Sequence, residues 1–177
     1  VEAIPELDRE NKKVKIVFYI QPKSRVYVRR VSFSDTTAIN DEVLRRELRQ
    51  LEGAYMSKSR LERSKVRLQR LPFIEEVEFD TIPVAGTTDL VDAEFTIKEG
   101  LPGQFGGGIG YSGAQKMILN GNFVHTNFFG TGNRIALDLN SSKYRDLYSF
   151  SHTNPYTGLN EISRTVRFSY SSFNQFT

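Results

Sequence analysis

Gly103-Gln104-Phe105-Gly106-Gly107-Gly108-Ile109-Gly110-Tyr111 divides the chain into two kinds of sequence. Phe105, Gly107, Ile109 and Tyr111 share one face of an extended chain, and Gln104, Gly106, Gly108 and Gly110 share the other. This period of two marks a β-strand. Five of the nine residues are glycine, and each weakens a strand by roughly 0.5–1 kcal/mol relative to alanine. Such a strand pairs loosely and lets another backbone come close. The weakness is expected to be functional, because a passive linker has no use for alternation or for aromatic ends.

Composition changes across this stretch. Lys, Arg and Glu concentrate before it; Phe, Tyr, Ser, Asn, Gly and Thr concentrate after it. At 177 residues the chain has room for one or two domains. A hydrophobic content of 38% is low for a large dry core, whereas 12% aromatics, all Phe and Tyr, is high. There is no cysteine, which excludes disulfides and thiolate sites. No apolar run approaches the roughly 18 residues of a membrane helix, and no signal peptide opens the chain. Both ends, Val1 and Phe176-Thr177, lie in strand-like sequence, so a fragment of a longer protein is expected.

Downstream, the segments around Met117–Val124, 135–140, 148–151 and 165–170 alternate apolar and polar residues. Asp138 and Arg167 fall on polar faces, while the apolar faces carry no charge. Segments of about 9–11 residues with one apolar face fit a transmembrane β-barrel. A soluble β-rich binding module is the competing class. Phe129-Gly130-Thr131-Gly132 and Asn154-Pro155-Tyr156 read as tight turns whose aromatics suit an interfacial girdle.

Upstream, residues 24–99 read as β-α-α-β-β. Val26, Val28, Val31 and Phe33 mark a strand. Asn40 or Asp41 caps a helix with Leu44, Leu48 and Leu51 on one face, ending at Gly53. Ser59 and Glu62 form a capping box for a second helix, which ends at Pro72. Val77–Ile82 and Leu90–Lys98 form a hairpin. Residues 1–22 read as another hairpin; Val14, Phe18 and Ile20 precede Val91, Phe95 and Ile97 by a constant 77 residues. That spacing suggests tandem copies of one module.

Chemistry is sparse. His125 and His152 lack metal-ligand spacing with any acid, and Gly106-Gly107-Gly108 precedes a strand rather than the helix a phosphate loop needs. His152, in phase with Tyr148 and Phe150, suits a membrane interface. No catalytic residue, metal or cofactor is expected, so the protein is not expected to be an enzyme. The net charge is +3, and arginines on the two helices are interleaved with glutamates, which argues against nucleic acid.

Five separated motifs, in order, carry a family resemblance: Val26-Tyr27-Val28-Arg29-Arg30, the run from Val43 to Ala54, Gly108-Ile109-Gly110-Tyr111, Asn127-Phe128-Phe129-Gly130-Thr131-Gly132, and Thr153-Asn154-Pro155-Tyr156. Together they resemble the outer-membrane β-barrel assembly factors of Gram-negative bacteria, in which POTRA domains precede a transmembrane barrel. The resemblance spans essentially the whole chain. It implies that 1–22 end a fourth POTRA domain, 24–99 form the fifth, and 103–177 are the first barrel strands. The glycine triplet exceeds the family pattern.

The resemblance also implies a mechanism. The first barrel strand pairs weakly with the last, and the seam between them opens sideways. Unfolded outer-membrane clients would then add a strand along Gly103–Tyr111 by β-augmentation, while outer-membrane lipid surrounds the barrel. Periplasmic lipoproteins of the assembly complex would dock on a POTRA face bearing Arg45, Arg49 and Glu52. Glu52 is placed at the end of the first helix, with Arg49 and Arg45 one and two turns before it. A transporter of the two-partner secretion type, threading clients through its lumen, is the alternative reading.

Overall fold

The computed structural model describes residues 2–8, 13–19, 25–113, 115–158 and 162–174. Val1, Ile20, Phe176, Thr177 and most of the turn expected at Asp8–Lys12 lie outside them.

The first hairpin pairs β1 (Glu2–Asp8) with β2 (Lys13–Tyr19), with Leu7 opposite Val14 and Pro5 opposite Ile16. Val14, Ile16 and Phe18 are each more than half exposed.

The second unit is built from β3 (Tyr27–Ser34), α1 (Asp41–Arg45), α2 (Lys58–Gln69), β4 (Ile74–Pro83) and β5 (Leu90–Glu99). Its sheet has the order β3-β5-β4; β3 runs parallel to β5, and β4 runs antiparallel to it. The register slips between Val28 and Arg30. This bulge explains why Val28 and Val31, three apart, are both fully buried. Leu61 and Leu68 of α2, Val43 and Leu44 of α1, and Val77 and Ile97 of the sheet close the core. Phe95 lies between Phe33 and Phe79, with ring centroids 6.0 and 5.8 Å away.

Two helix expectations fail here. The first helix does not run to Gly53; it ends at Arg45. Beyond it the N–H groups of Glu47 and Leu48 reach back only three residues, to Leu44 O and Arg45 O. The next two are taken by a side chain: Ser64 Oγ accepts from Arg49 N (2.8 Å) and Gln50 N (3.3 Å). Gln50 is fully buried and holds the following loop, donating to Leu51 O and Tyr55 O and accepting from Ser57 N. Leu51 therefore leaves the apolar face and is 65% exposed. The capping box also fails: α2 starts at Lys58 with Ser57 at its N-cap, and Ser57 makes no side-chain capping bond. Ser59 and Glu62 are both exposed on the helix.

Pro102 leads into the third unit, where its carbonyl accepts from Thr126 N and Oγ1 (2.8 and 3.1 Å). A five-stranded antiparallel sheet follows, with strands β6 (Gly103–Ser112), β7 (Lys116–Phe128), β8 (Asn133–Ser142), β9 (Arg145–Thr157) and β10 (Ile162–Phe173) in sequence order. The registers stack Phe105, Phe123, Leu137, Phe150 and Phe168 into one row across all five strands. The neighbouring row on that face is Gly107, Gly121, Leu139, Tyr148 and Tyr170. On the opposite face Gly106, Asn122, Asp138, Ser149 and Ser169 line up, and Ser149 Oγ donates to Asp138 Oδ2 at 3.1 Å.

Candidate functional site

Two features stand out: the free edge of the five-stranded sheet, and the joint between that sheet and the α1–α2 unit.

Along the edge, β6 pairs with β7 on one side only among the described residues. Phe105, Ile109 and Tyr111 are 84%, 75% and 76% exposed, so little besides backbone pairing holds the strand. The glycines differ in what surrounds them. A Cβ at Gly106 would lie 2.3 Å from Asn122 Oδ1, so the Asn122 amide occupies the space a side chain would take. Gly108 faces open space, and Gly107 would meet only Asn120 O at 3.4 Å. Gly103 sits opposite His125, Gln104 opposite Val124 and Gly110 opposite Ile118. The structure thus brings all nine residues from Gly103 to Tyr111 into one strand, which among the described residues lies at an edge of the sheet.

At the joint, two strands carry the same irregularity. Between His125 and Phe128, β7 has one residue more than β8 opposite; between Asn154 and Thr157, β9 has one more than β10. Such bulges re-aim side chains, and Pro155 falls in the second, where its lost ladder donor costs least. Each bulge holds a residue that grips the α1–α2 unit. Asn127, 4% exposed, donates from Nδ2 to Ala38 O (2.9 Å) and accepts from Gly132 N (2.8 Å) at Oδ1. Tyr156 donates its hydroxyl proton to Glu47 Oε1. Asn154-Pro155-Tyr156 is thus strand rather than turn, and Tyr156 points to the α1–α2 unit rather than to a membrane girdle.

Glu47 anchors this contact. It is only 5% exposed, and an unpaired carboxylate at such a site would be costly. Arg67 of α2 supplies the counter-charge, with Nε 3.0 Å and Nη2 2.8 Å from Glu47 Oε2. Arg67 Nη2 also donates to the Tyr156 hydroxyl at 3.3 Å. The Arg46 guanidinium carbon lies 4.0 Å from the Tyr156 ring centroid, a cation–π contact.

The turn between β7 and β8 completes the joint. Asn40 N donates to Gly130 O at 3.0 Å. Gly130 and Gly132 have φ of +74° and +70°, which favour glycine. A Cβ at Gly130 would lie 2.9 Å from Ala38 O, and one at Gly132 2.6 Å from Arg46 Nη2.

Glu52 is not at a helix terminus. It lies in the loop beyond α1, where Oε1 accepts from Val31 N (2.8 Å) and Arg45 Nη1 (3.1 Å). The Val31 hydrogen bond, then Arg45, holds its carboxyl below the usual range despite some desolvation. Arg45 also pairs with Asp41 and donates to Val31 O. Arg45 and Glu52 therefore meet through β3 rather than along a helix. Arg49 is exposed, with its backbone N–H fixed by Ser64 Oγ.

The joint was not found from sequence. Glu47, Arg67 and Tyr156 are distant in the chain, and Glu47 looks like any acid on a mixed-charge helix. The one available signal was Pro155 interrupting an alternating segment, which favours a bulge.

The POTRA family, described as surface antigen variable number repeat, matches residues 26–100. That segment is a POTRA domain, and it runs directly into an antiparallel sheet. The chain is a relative of BamA. It is 34% identical over 163 residues to the outer membrane protein assembly factor BamA of Neisseria meningitidis serogroup B, an alignment covering 92% of this chain and 20% of that protein. Against BamA of Buchnera aphidicola it is 28% identical, covering 96% of this chain and 27% of the relative. The crystal structure of BamA from Haemophilus ducreyi lacking POTRA domains 1-3 matches with a TM-score of 0.84 at 31% identity, covering 97% of this chain and 32% of that one. The chain thus spans between 20% and 27% of the length of these curated relatives.

Proposed function

We propose that this chain is the POTRA–barrel junction of an outer-membrane assembly factor that catalyses insertion of β-barrel clients. In this reading the five-stranded sheet begins a transmembrane barrel, its apolar rows face lipid, and the POTRA domain lies in the periplasm. The carrying observation is β6: a glycine-rich strand that, among the described residues, pairs with β7 alone.

A client strand pairs with this edge by backbone hydrogen bonds, and its own polar backbone is satisfied before it meets lipid. Weak pairing by β6 lets the client leave when its barrel closes. No covalent bond to the client is made or broken, so the protein acts on a folding barrier and not as an enzyme. The POTRA face with Arg45, Arg49 and Glu52 is the docking face for periplasmic lipoproteins of the same machine.

The test reconstitutes the complete protein in liposomes with a cysteine pair joining β6 to the last barrel strand. Client insertion should stop when the pair is oxidised and return on reduction. Normal insertion by the cross-linked form overturns the lateral-opening mechanism.

A further inference from the structure

Leu51 and Val66 are exposed apolar residues that line one groove. Leu51, displaced from the core by the Ser64 and Gln50 hydrogen bonds, is 65% exposed, and Val66 on α2 is 47% exposed. The groove has a volume of about 860 Å³. Its rim is strongly basic: Arg49, Arg60, Arg63, Arg67 and Arg70 line it against one carboxylate, Glu62. Residues 63, 66 and 70 recur at helical spacing, so Arg63, Val66 and Arg70 form a single stripe of α2 with the apolar residue between two cations.

We propose that this groove docks an acidic amphipathic helix of a partner protein. Its apolar side chains sit on Leu51 and Val66, and flanking carboxylates pair with Arg63 and Arg70. An apolar floor with charged edges is how a groove reads an amphipathic helix, and the arginine fork matches a carboxylate in two-point geometry. Charge complementarity selects an acidic segment, and the apolar floor selects a polypeptide over an anionic headgroup, which would leave Leu51 and Val66 uncovered.

The site also adjoins the joint. Arg67 lines the groove and holds Glu47 and Tyr156. A carboxylate seated beside Arg67 draws on the guanidinium that ties the POTRA domain to the sheet, so docking here is felt at the joint. The groove stands independently of the client-insertion reading, and binding rather than insertion is its readout.

The complete protein in nanodiscs is titrated with two fluorescent helical peptides. One carries glutamates around a leucine pair spaced i, i+4; the other carries lysines in their place. The glutamate peptide should bind and the lysine peptide should not. The double variant Arg63→Glu, Arg70→Glu and the single variant Val66→Asp should each weaken binding about tenfold or more, the scale of a lost charge-assisted contact. All three positions are exposed, so circular dichroism should be unchanged. Equal binding of both peptides, no binding of the glutamate peptide, or full binding to the double variant overturns the proposal. So does arginine-dependent capture of phosphatidylglycerol vesicles, by the detergent-solubilised protein, that the glutamate peptide does not displace; that outcome marks a lipid site.

Discussion

Tyr156 donates a hydrogen bond to Glu47 across 109 residues of chain, from the C-terminal end of β9 to the segment after α1. Because Glu47 is buried and already paired with Arg67, this bond ties the sheet to the charged centre of the POTRA domain rather than to its surface. Asn127 makes a second tie from the matching bulge of β7 to Ala38. Two strands of the sheet are therefore fixed to one domain at separate points, which limits rotation about Pro102.

Removing the first tie should loosen the joint and leave the domain folded. In Tyr156→Phe the ring still lies under Arg46 and Glu47 keeps Arg67, but the hydroxyl's bonds to Glu47 and from Arg67 are both lost, each a bond to a charged group worth about 1.5–3 kcal/mol. Arg67→Ala should be worse, about 3–5 kcal/mol, because it leaves Glu47 buried without its counter-charge. Spin labels on the POTRA domain and on β8 should report a broader distance distribution for Tyr156→Phe at nearly unchanged Tm. Arg67→Ala should lower Tm as well. Equal Tm losses would mean that the tyrosine serves domain stability and not the joint.

A glycine of the β7–β8 turn and one in the loop between α1 and α2 make a sharper comparison. Gly53 and Gly130 have almost the same φ, +75° and +74°. Nothing lies within 4 Å of a Cβ at Gly53, whereas one at Gly130 would meet Ala38 O at 2.9 Å. Gly53→Ala should therefore cost only backbone strain, about 1–2 kcal/mol. Gly130→Ala should cost that and also displace the turn from α1. Hydrogen exchange should show lost protection at the Asn40 amide, which bonds Gly130 O, in Gly130→Ala alone.

Strand content was legible because alternation has a local cause. Each apolar residue of Phe123, Leu137, Phe150 and Phe168 declares its face, and pairing follows from short turns. Helix length was not legible, because α1 is cut short by Ser64, fifteen residues beyond Arg49, and by the amide of Gln50. Leucine spacing carries no trace of either, so Leu51 was misplaced. The partners of Glu52 show the same limit: a helix would set both Arg45 and Arg49 near it, whereas it takes Val31 N and Arg45, and no side-chain pattern encodes a backbone partner. The alternation and glycine content of β6 are local and so legible, whereas the joint rests on contacts as far as 109 residues apart.

Glu52 should give the POTRA domain an acid-sensitive component of stability. Its folded pKa is lowered, first by Val31 N and then by Arg45. The contribution is therefore fully present above the unfolded value and disappears as pH falls through the folded one. Glu52→Gln keeps an acceptor for Val31 N but cannot ionise. Wild type should melt above the variant at neutral pH, and the gap should close as pH drops below the ordinary carboxylate range. A gap independent of pH would show that shape and not charge is what Val31 needs. The same variant suits the lipoprotein question better than Glu52→Lys, which also destroys the Val31 bond. Weaker co-purification of the lipoproteins with Glu52→Gln, at preserved circular dichroism, is the expected result.

The final prediction separates strand strength from side-chain bulk on β6. Valine favours the pleated conformation relative to glycine, by about 1 kcal/mol in host strands. At Gly108 the new side chain enters open space; at Gly106 it collides with the Asn122 amide. Gly108→Val should thus tighten β6 against β7, while Gly106→Val should push Asn122 aside and gain little. If loose pairing carries the activity, Gly108→Val should insert the first client normally and release it slowly, so the burst is kept and the steady rate falls. Gly106→Val should show no matching fall. Gly107→Pro should remove both phases, since it deletes a backbone donor and fixes φ. Hydrogen exchange at β6 amides provides the independent check: protection must rise in Gly108→Val. Increased protection with an unchanged steady rate would mean that release does not depend on the strength of this strand.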